Sequence, residues 1–364
     1  MAQSGYLYYA HTMPGLEEVA WDEIRGRLAG ASFEAFKTLR GKNGLVLFRY
    51  GGNPKDLLSL RTVEDAFFLV AHISKVSWGH EGLSHISRAM AGNRFIDRGL
   101  AQHRELWQHG RRGTRTFRVI SRMAGGRQPY RRVDLQRVVQ RALQKRLGKH
   151  WRAVDEGEDV EIWVNLLGRD FVCGLRLSDA SMRHRGYKQA HIEASLRPSV
   201  AAALVWLTDP RPGDVFLDPL CGAGTVLIER GMIERHGLLL GGDIDRHALQ
   251  AAAENVGPRH KPRALLRWDA GRLPLASGSV DRLATNLPFG KKVGSHQENL
   301  VLYRAFFREM NRVLRAQGRA VVLSSESELV RDSLRAIDGL GIVRGYTVTL
   351  LGRKATVYLV ARSN

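Results

Sequence analysis

Cysteine is nearly missing. Cys173 and Cys221 are the only two among 364 residues, far apart and in no Cys-x-x-Cys context. A disulfide scaffold and a structural zinc site are excluded together. No run approaches the ~18 apolar residues that a membrane span needs. The first fifteen residues lack the basic start and continuous apolar core of a signal peptide. The 13 histidines fall in no metal-ligand spacing such as His-Glu-x-x-His. Internal repeats and low-complexity tracts are missing too. The expectation is a soluble protein of a reducing compartment, cytoplasmic, with no metal and no membrane partner.

Positive charge is abundant. Lys and Arg number 56 against 36 Asp and Glu, a formal charge of +20, and apolar residues make up 44%, ample for a core. The surplus is +13 over residues 1–190 and +7 over 191–364. Residues 101–150 alone hold 14 Lys and Arg against Glu105 and Asp134. Such a local excess raises self-repulsion, so a polyanionic partner explains it better than a solvated face does. Nucleic acid fits best. A membrane surface fits less well, because the block lacks the bulky apolar face of an interfacial helix. With Asp134 as N-cap, Leu135, Val138, Val139, Ala142, Leu143 and Leu147 follow helical spacing. Arg137, Arg141 and Lys145 then fall four apart on another face, a row of cations for phosphates. Upstream, Thr116–Ser121 reads as a strand, followed by a Gly-rich basic loop with Arg131 and Arg132, where Tyr130 can stack on a base or, as a surface Tyr more often does, serve only as an amphipathic filler.

Length allows two or three domains. The first sixty residues alternate strand, helix and hairpin. Tyr6–Ala10 is strand-like, Pro14 suits the first position of an amphipathic helix, and a hairpin turns at Lys42-Asn43-Gly44. A strand at Ala66–Ile73 and a helix from about Leu83 follow. A second hairpin joins VEIWVNLL to DFVCGLRL at Gly168-Arg169, and 180–193 reads as a polar connector. From 194 the character changes. SLRPSVAAALVWLT is a helix with Pro198 in its first turn, and then DVFLDPL, LLLGGDI, RALLRWDA, VDRLATNL and RAVVLSS alternate with helical segments. That alternation predicts an α/β fold with a doubly wound, mostly parallel sheet, ending in an antiparallel hairpin, TVTLLG to ATVYLV. The boundary is expected near 190.

The first strand of that sheet runs into Asp218-Pro219-Leu220-Cys221-Gly222-Ala223-Gly224-Thr225, a small-residue turn that lets the backbone approach a nucleotide-like ligand. The third glycine of a dinucleotide fingerprint would fall at Leu227 and is absent, and no phosphate-cradling P-loop is present. Alone, the turn is an ordinary strand–helix connection as readily as a site. The series that follows is harder to explain by helix capping. Strand two ends at Asp243, where a carboxylate can take both hydroxyls of a ribose; Asp245 reads as a helix cap. Strand three ends at Trp268-Asp269-Ala270, and strand four at Asn286-Leu287-Pro288-Phe289-Gly290. Ligands bind at such strand C-terminal ends.

These residues resemble those of the class I S-adenosylmethionine-dependent methyltransferases, and Asn-Leu-Pro-Phe is similar to the Asn/Asp-Pro-Pro-Tyr/Phe signature of enzymes that methylate exocyclic amines of bases. Together with His-Arg-Gly-Tyr (184–187) and Ser-Leu-Arg-Pro (195–198), they resemble the THUMP-containing tRNA guanine-N2 methyltransferases. The resemblance implies a ferredoxin-like domain over 1–64, a THUMP RNA-binding domain over 65–180, a linker over 181–193 and a Rossmann-like methyltransferase domain over 194–364. For the cofactor, S-adenosyl-L-methionine, it implies Asp218, Gly222 and Gly224 at the methionine end. Asp243 and Ile244 would meet the ribose and adenine, Asp269 and Ala270 the adenine amine, and Ser195, Leu196 and Arg197 the closing segment. Asn286 would contribute as well. Leu287 departs from the commoner proline.

An exocyclic amine is a poor nucleophile, its lone pair delocalised into the ring. The Asn286 oxygen and a backbone carbonyl near Leu287 can hold its hydrogens and aim the lone pair, Pro288 fixing the turn and Phe289 stacking on the base. Methylation at a pyrimidine carbon normally needs a cysteine nucleophile that adds to the ring. Neither cysteine suits that role, since one lies in the turn and the other in an apolar strand. Arg185 is read as RNA-binding and His184 beside it as RNA-facing or inert; Lys291 and Lys292 fit phosphate contacts or a solvated pair equally. The resemblance implies N2-methylguanosine at position 6 of the tRNA acceptor stem, and a small activating protein is a further partner it allows. Methylation of ribosomal RNA, and an RNA-binding protein with an inactive methyltransferase fold, are the rival readings.

Overall fold

The computed structural model describes residues 5–39, 43–107, 114–126, 128–190, 192, 195–289, 296–350 and 352–362. The chain forms two compact units, residues 1–17 with 24–182, and residues 18–23 with 183–364. No described helix is long and apolar enough to cross a membrane.

The first unit is built on one eight-stranded mixed sheet. Its strands are β1 (Tyr6–Thr12), β2 (Ser32–Leu39), β3 (Asn43–Tyr50), β4 (Asp65–Ile73), β5 (Arg115–Ala124), β6 (Trp151–Ala153), β7 (Val160–Leu167) and β8 (Asp170–Arg176). They lie in the order β2-β3-β1-β4-β8-β7-β5-β6. β5 runs parallel to β6 and β7, and the remaining pairs are antiparallel. Because β4 pairs with both β1 and β8, the sheet is continuous across residues 64 and 65. Both expected hairpins of this unit form, β2–β3 and β7–β8, but the first does not turn at Lys42-Asn43-Gly44: Asn43 and Gly44 already pair with Leu39 and Thr38 as part of β3, and residues 40–42 between the strands lie outside the described residues.

Helix α1 (Glu17–Arg27) starts later than expected. Pro14 lies in a turn before it, closed by Leu16 N–H on the Met13 carbonyl and by the Glu17 carboxylate on Gly15 N–H. A helix from about Leu83 was expected; two form, α2 (His80–Ala91) and α3 (Phe95–Trp107). In α4 (Arg132–Leu147) Asp134 is not the N-cap. The N-cap is Arg131, three residues earlier, and Asp134, at the third helical position, reaches back to accept from Arg131 N–H at 2.9 Å, which satisfies a free helix-start donor. That bond holds the Asp134 carboxyl below its ordinary value. Leu135, Val139, Ala142 and Leu143 are buried against α2 and β5, while Arg137, Arg141 and Lys145 are exposed as expected. Tyr130 is buried, not presented for stacking, because it packs at the foot of this helix near His80.

The second unit carries the doubly wound sheet. After α5 (Pro198–Leu207), with Pro198 at its first position, come β9 (Val215–Asp218), α6 (Thr225–Ile233), β10 (Leu238–Asp243), α7 (Arg246–Val256), β11 (Arg263–Arg267), β12 (Val280–Asn286), α8 (His296–Val313), β13 (Leu314–Ser324), α9 (Ser327–Arg335), β14 (Leu340–Leu350) and β15 (Arg353–Arg362). The strand order is β11-β10-β9-β12-β13-β15-β14. β9 to β13 are parallel, and β15 runs antiparallel between β13 and β14. Leu217, Leu283, Phe306, Phe307, Met310 and Val322 are buried in the core beneath α8. Each fully buried side chain of this size contributes roughly 1.5–3 kcal/mol. The chain reverses its winding at β9, so the crevice beyond β9, β10 and β12 is where this topology places a ligand.

Candidate active site

Four strand ends converge on that crevice. From β9 the turn 219–224 leads into α6 with Gly224 at the helix start, its φ at +77°, a region that L side chains rarely adopt. An added Cβ there would also press on Val256 and Ala252 at 3.2 and 3.3 Å. The end of β10 clamps this turn: Asp243 accepts Gly222 N–H at 3.0 Å on one oxygen and Asp245 N–H at 3.1 Å on the other. Each oxygen keeps lone-pair capacity, so the carboxylate can still receive hydroxyl donors. Asp245 caps α7 through His247 N–H, as its sequence position suggested. Beside Asp243, Ile244 is 61% exposed, an apolar side chain open at the mouth of the crevice. At the end of β11 the Trp268 indole is buried and donates to the Pro219 carbonyl at 3.0 Å. Gly242 makes room for it, since a Cβ there would lie 2.0 Å from the indole. Asp269 is exposed and accepts Gly271 N–H, while Ala270 is buried.

Asp218 is buried at the end of β9 and accepts from Thr285 Oγ1 at 2.8 Å and Leu220 N–H at 3.3 Å. Burial outweighs both bonds and pushes its carboxyl up to about 7. Next to Thr285, at the end of β12, the Asn286 Oδ1 is a buried acceptor with no hydrogen-bond partner among the described residues. Leu287 is fully buried, its N–H bound to the Leu323 carbonyl, and the Pro288 carbonyl accepts from Asn299 and Tyr303. Phe289 is half-buried. The Ser195 Oγ is likewise buried and unpartnered among the described residues. Leu196 accepts from Lys188 Nζ at 2.9 Å, and Arg197 is exposed at the cap of α5. Burial also pushes the Cys221 and Cys173 thiols up, so neither is a ready nucleophile.

A cofactor with a ribose, a flat base and a charged tail matches this donor and acceptor set. Carboxylates with spare lone pairs stand at the end of β10 and just past β11, an apolar side chain is open between them, and two buried polar atoms lack partners among the described residues. The strand ends therefore bring together Asp218, Gly222, Gly224, Asp243, Ile244, Asp269, Ala270 and Asn286.

The cationic candidates divide. Arg131 is largely exposed, and Arg137, Arg141 and Lys145 form an exposed stripe. Arg132 bonds the Ser121 carbonyl and Gln136. Arg185 points inward, only 10% exposed, at 3.9 Å from the buried Glu229 carboxylate of α6, which also accepts from Tyr187 at 2.5 Å. Lys291 and Lys292 lie outside the described residues.

Sequence reasoning missed Asn255. Its buried carboxamide accepts from Gln189 and Ala190 N–H and donates to the carbonyls of Ala190 and Ala223, tying the connector to the glycine turn. An Asn near the end of a helix, where it is a poor helix former, was the available signal. Thr285, Asn299 and Tyr303 were missed as well. They look like ordinary strand and helix residues until the strands are paired.

Residues 185–340 match the family described as RMKL-like, methyltransferase domain (UPF0020). A mouse protein named tRNA (guanine(6)-N(2))-methyltransferase THUMP3 is 31% identical over 265 residues, 68% of this chain and 51% of its own. A Thermus thermophilus tRNA (guanine(6)-N2)-methyltransferase is 30% identical over 225 residues, 61% of this chain and 66% of its own. The chain thus spans about half the length of the mammalian relatives it matches. Among solved structures, TrmN from Thermus thermophilus superposes with a TM-score of 0.78 at 25% identity, covering 98% of this chain and 99% of that one. A possible methylase from Clostridium difficile shares the fold at a TM-score of 0.74 and 16% identity, covering 99% of each. Residues 185–340 therefore carry an RMKL-like methyltransferase domain (UPF0020), and along nearly its whole length the chain shares the fold of TrmN, with proteins named tRNA (guanine(6)-N2)-methyltransferase among those it is similar to.

Proposed function

We propose that this chain is an S-adenosylmethionine-dependent tRNA methyltransferase that forms N2-methylguanosine, with position 6 of the acceptor stem as its target. The observation that carries the reading is the buried, unpartnered Asn286 Oδ1 at the end of β12, followed by Leu-Pro-Phe. When bound, the cofactor supplies an electrophilic methyl group on a sulfonium and leaves as a neutral thioether. Asp243 with Ile244, Asp269 with Ala270, and the turn of Asp218, Gly222 and Gly224 would hold it, with Ser195, Leu196 and Arg197 closing over it.

The protein's own task is positioning. The Asn286 oxygen and the Leu287 carbonyl accept the two hydrogens of the guanine amine, which turns its lone pair out of conjugation. Phe289 packs on the extruded base. The nitrogen becomes acidic as the new N–C bond forms, so its proton passes to water without a strong base. Asp218 is not assigned that role: its carboxyl is buried, Thr285 and Leu220 hold its Oδ1, and it stands at the cofactor's turn.

In this reading residues 1–64 and 65–180 are the ferredoxin-like and THUMP parts that capture RNA, 181–193 the linker and 194–364 the catalytic domain. Arg131, Arg137, Arg141 and Lys145 meet phosphates, and the protein works in the cytoplasm. The test is methyl transfer from labelled S-adenosylmethionine to unmodified tRNA and ribosomal RNA, followed by nucleoside analysis. N2-methylguanosine in tRNA, mapped to position 6, is expected. Label in ribosomal RNA alone would move the substrate. No label with intact cofactor and RNA binding, restored by a small activating protein, would add a partner; unrestored, it would overturn the reading.

A further inference from the structure

We propose that Tyr303 is a positioning residue for the target amine: it ends a one-way chain of hydrogen bonds that takes the Pro288 carbonyl out of the acceptor set of the Asn286–Phe289 turn. The inference rests on the function proposed above and deepens it. A turn with an Asn oxygen and two successive carbonyls presents three acceptors, but an amine has only two hydrogens to give. An amine bonded to the wrong pair would aim its lone pair elsewhere, so one acceptor must be removed.

The direction of the chain follows from proton count. A carbonyl cannot donate, so the single hydroxyl hydrogen of Tyr303 goes to the Pro288 carbonyl at 2.7 Å. The contact of 2.8 Å between Tyr303 and Ser324 must then be donated by Ser324. Ser324 in turn accepts from Glu326 N–H at 2.9 Å. Asn299 Nδ2 donates to the same Pro288 carbonyl at 3.0 Å. The Asn299, Tyr303 and Ser324 side chains are all buried, so water does not compete, and successive bonds polarise one another. Burial also pushes the Tyr303 hydroxyl up, keeping its proton in place. Leu287 N–H is bound to the Leu323 carbonyl, which ties the turn to β13, and with the Pro288 carbonyl doubly engaged the amine is left to Asn286 Oδ1, unpartnered among the described residues, and, in the function proposed above, to the Leu287 carbonyl. The same clamp fixes the Pro288–Phe289 peptide plane, and with it the base of the Phe289 ring.

The sequence supplies a probe, because residues 288 and 289 are its only Pro-Phe pair. Protein labelled with carbonyl-¹³C proline and ¹⁵N phenylalanine therefore gives one carbonyl–amide correlation, that of Pro288. In Tyr303→Phe this carbonyl is expected to move upfield, and single-turnover methyl transfer to fall about tenfold, on the scale of one hydrogen bond. Cofactor and tRNA affinities should stay within about twofold, because the relay touches neither. Ser324→Ala, which leaves the ring in place, should give smaller changes of the same sign. An unmoved Pro288 carbonyl, a moved one with an unchanged rate, or a rate loss matched by lost cofactor affinity would each overturn the proposal. A wild-type chain that methylates no RNA refutes the function and this inference together, whereas an active wild type with an unmoved carbonyl refutes the inference alone.

Discussion

Asp218 and Asn286 end neighbouring strands, and their side-chain oxygens meet opposite fates. Asp218 is buried and bonded, Asn286 buried and bare. An unsatisfied buried acceptor costs free energy of about 1–3 kcal/mol, and in the function proposed above the guanine amine supplies the missing donor at Asn286. Asn286→Ala should therefore leave folding and RNA affinity intact while lowering methyl transfer about a hundredfold or more, read in single-turnover assays. Near-normal turnover would end the mechanism. For Asp218 the prediction concerns pH. Its folded carboxyl is raised from 3.8 to about 7, so its contribution to stability is whole below pH 3.8 and is lost as pH rises to about 7. Asp218→Asn keeps the acceptor without the charge. Its stability relative to wild type should grow by on the order of 2–3 kcal/mol between pH 5 and pH 8. Urea denaturation of both proteins at the two pH values measures it, and a constant difference would show that Asp218 is ionised throughout.

At the scale of elements, the crevice depends on contacts between segments that the sequence keeps far apart. Asn255 on α7 holds residues 189, 190 and 223 with four hydrogen bonds from one carboxamide. Asn255→Ala should destabilise the protein by about 2–4 kcal/mol. It should also weaken binding of S-adenosylmethionine at least severalfold by calorimetry, since the glycine turn loses its brace. A lower melting temperature with unchanged affinity would confine Asn255 to folding. Trp268 joins three strand ends, donating from β11 to Pro219 beyond β9 across Gly242 of β10. Gly242→Ala puts a methyl group into the indole, costing about 1–3 kcal/mol by overpacking. The displaced Trp268 should shift the tryptophan emission of the folded protein. An unshifted spectrum with wild-type stability would mean that the crevice floor yields easily.

For the whole molecule the informative quantity is charge. The exposed stripe of Arg137, Arg141 and Lys145 lies opposite the buried face of α4, and its role is tested by salt dependence. Changing all three to Gln should weaken tRNA binding and reduce the slope of log affinity against log salt by about 2–3. Cofactor affinity should be unaffected. An unchanged slope would move the RNA contacts to another face. Local pattern was sufficient to read this stripe, the mostly parallel sheet, the pairing of the hairpins though not the turn of the first, and the strand ends Asp218, Asp243 and Asn286, with Asp269 two residues past the end of β11. Helical spacing, strand alternation and short turn chemistry are written within a few residues of one another. Helix starts were less legible, because a proline or an acidic residue near a helix can stand at several positions of its first turn, as Pro14 and Asp134 do. What a polar side chain finds across the fold was not legible at all. Arg185 turns to a buried Glu229, Tyr130 goes inside, Asn255 braces a turn more than thirty residues away, and Tyr303 reaches the Pro288 carbonyl. The sequence by itself determined the order of elements and the kind of chemistry. Only the tertiary structure decided which polar atoms are satisfied internally and which, like Asn286 Oδ1, find no partner among the described residues, because hydrogen bonds between distant segments exist only once the strands are paired and water is gone.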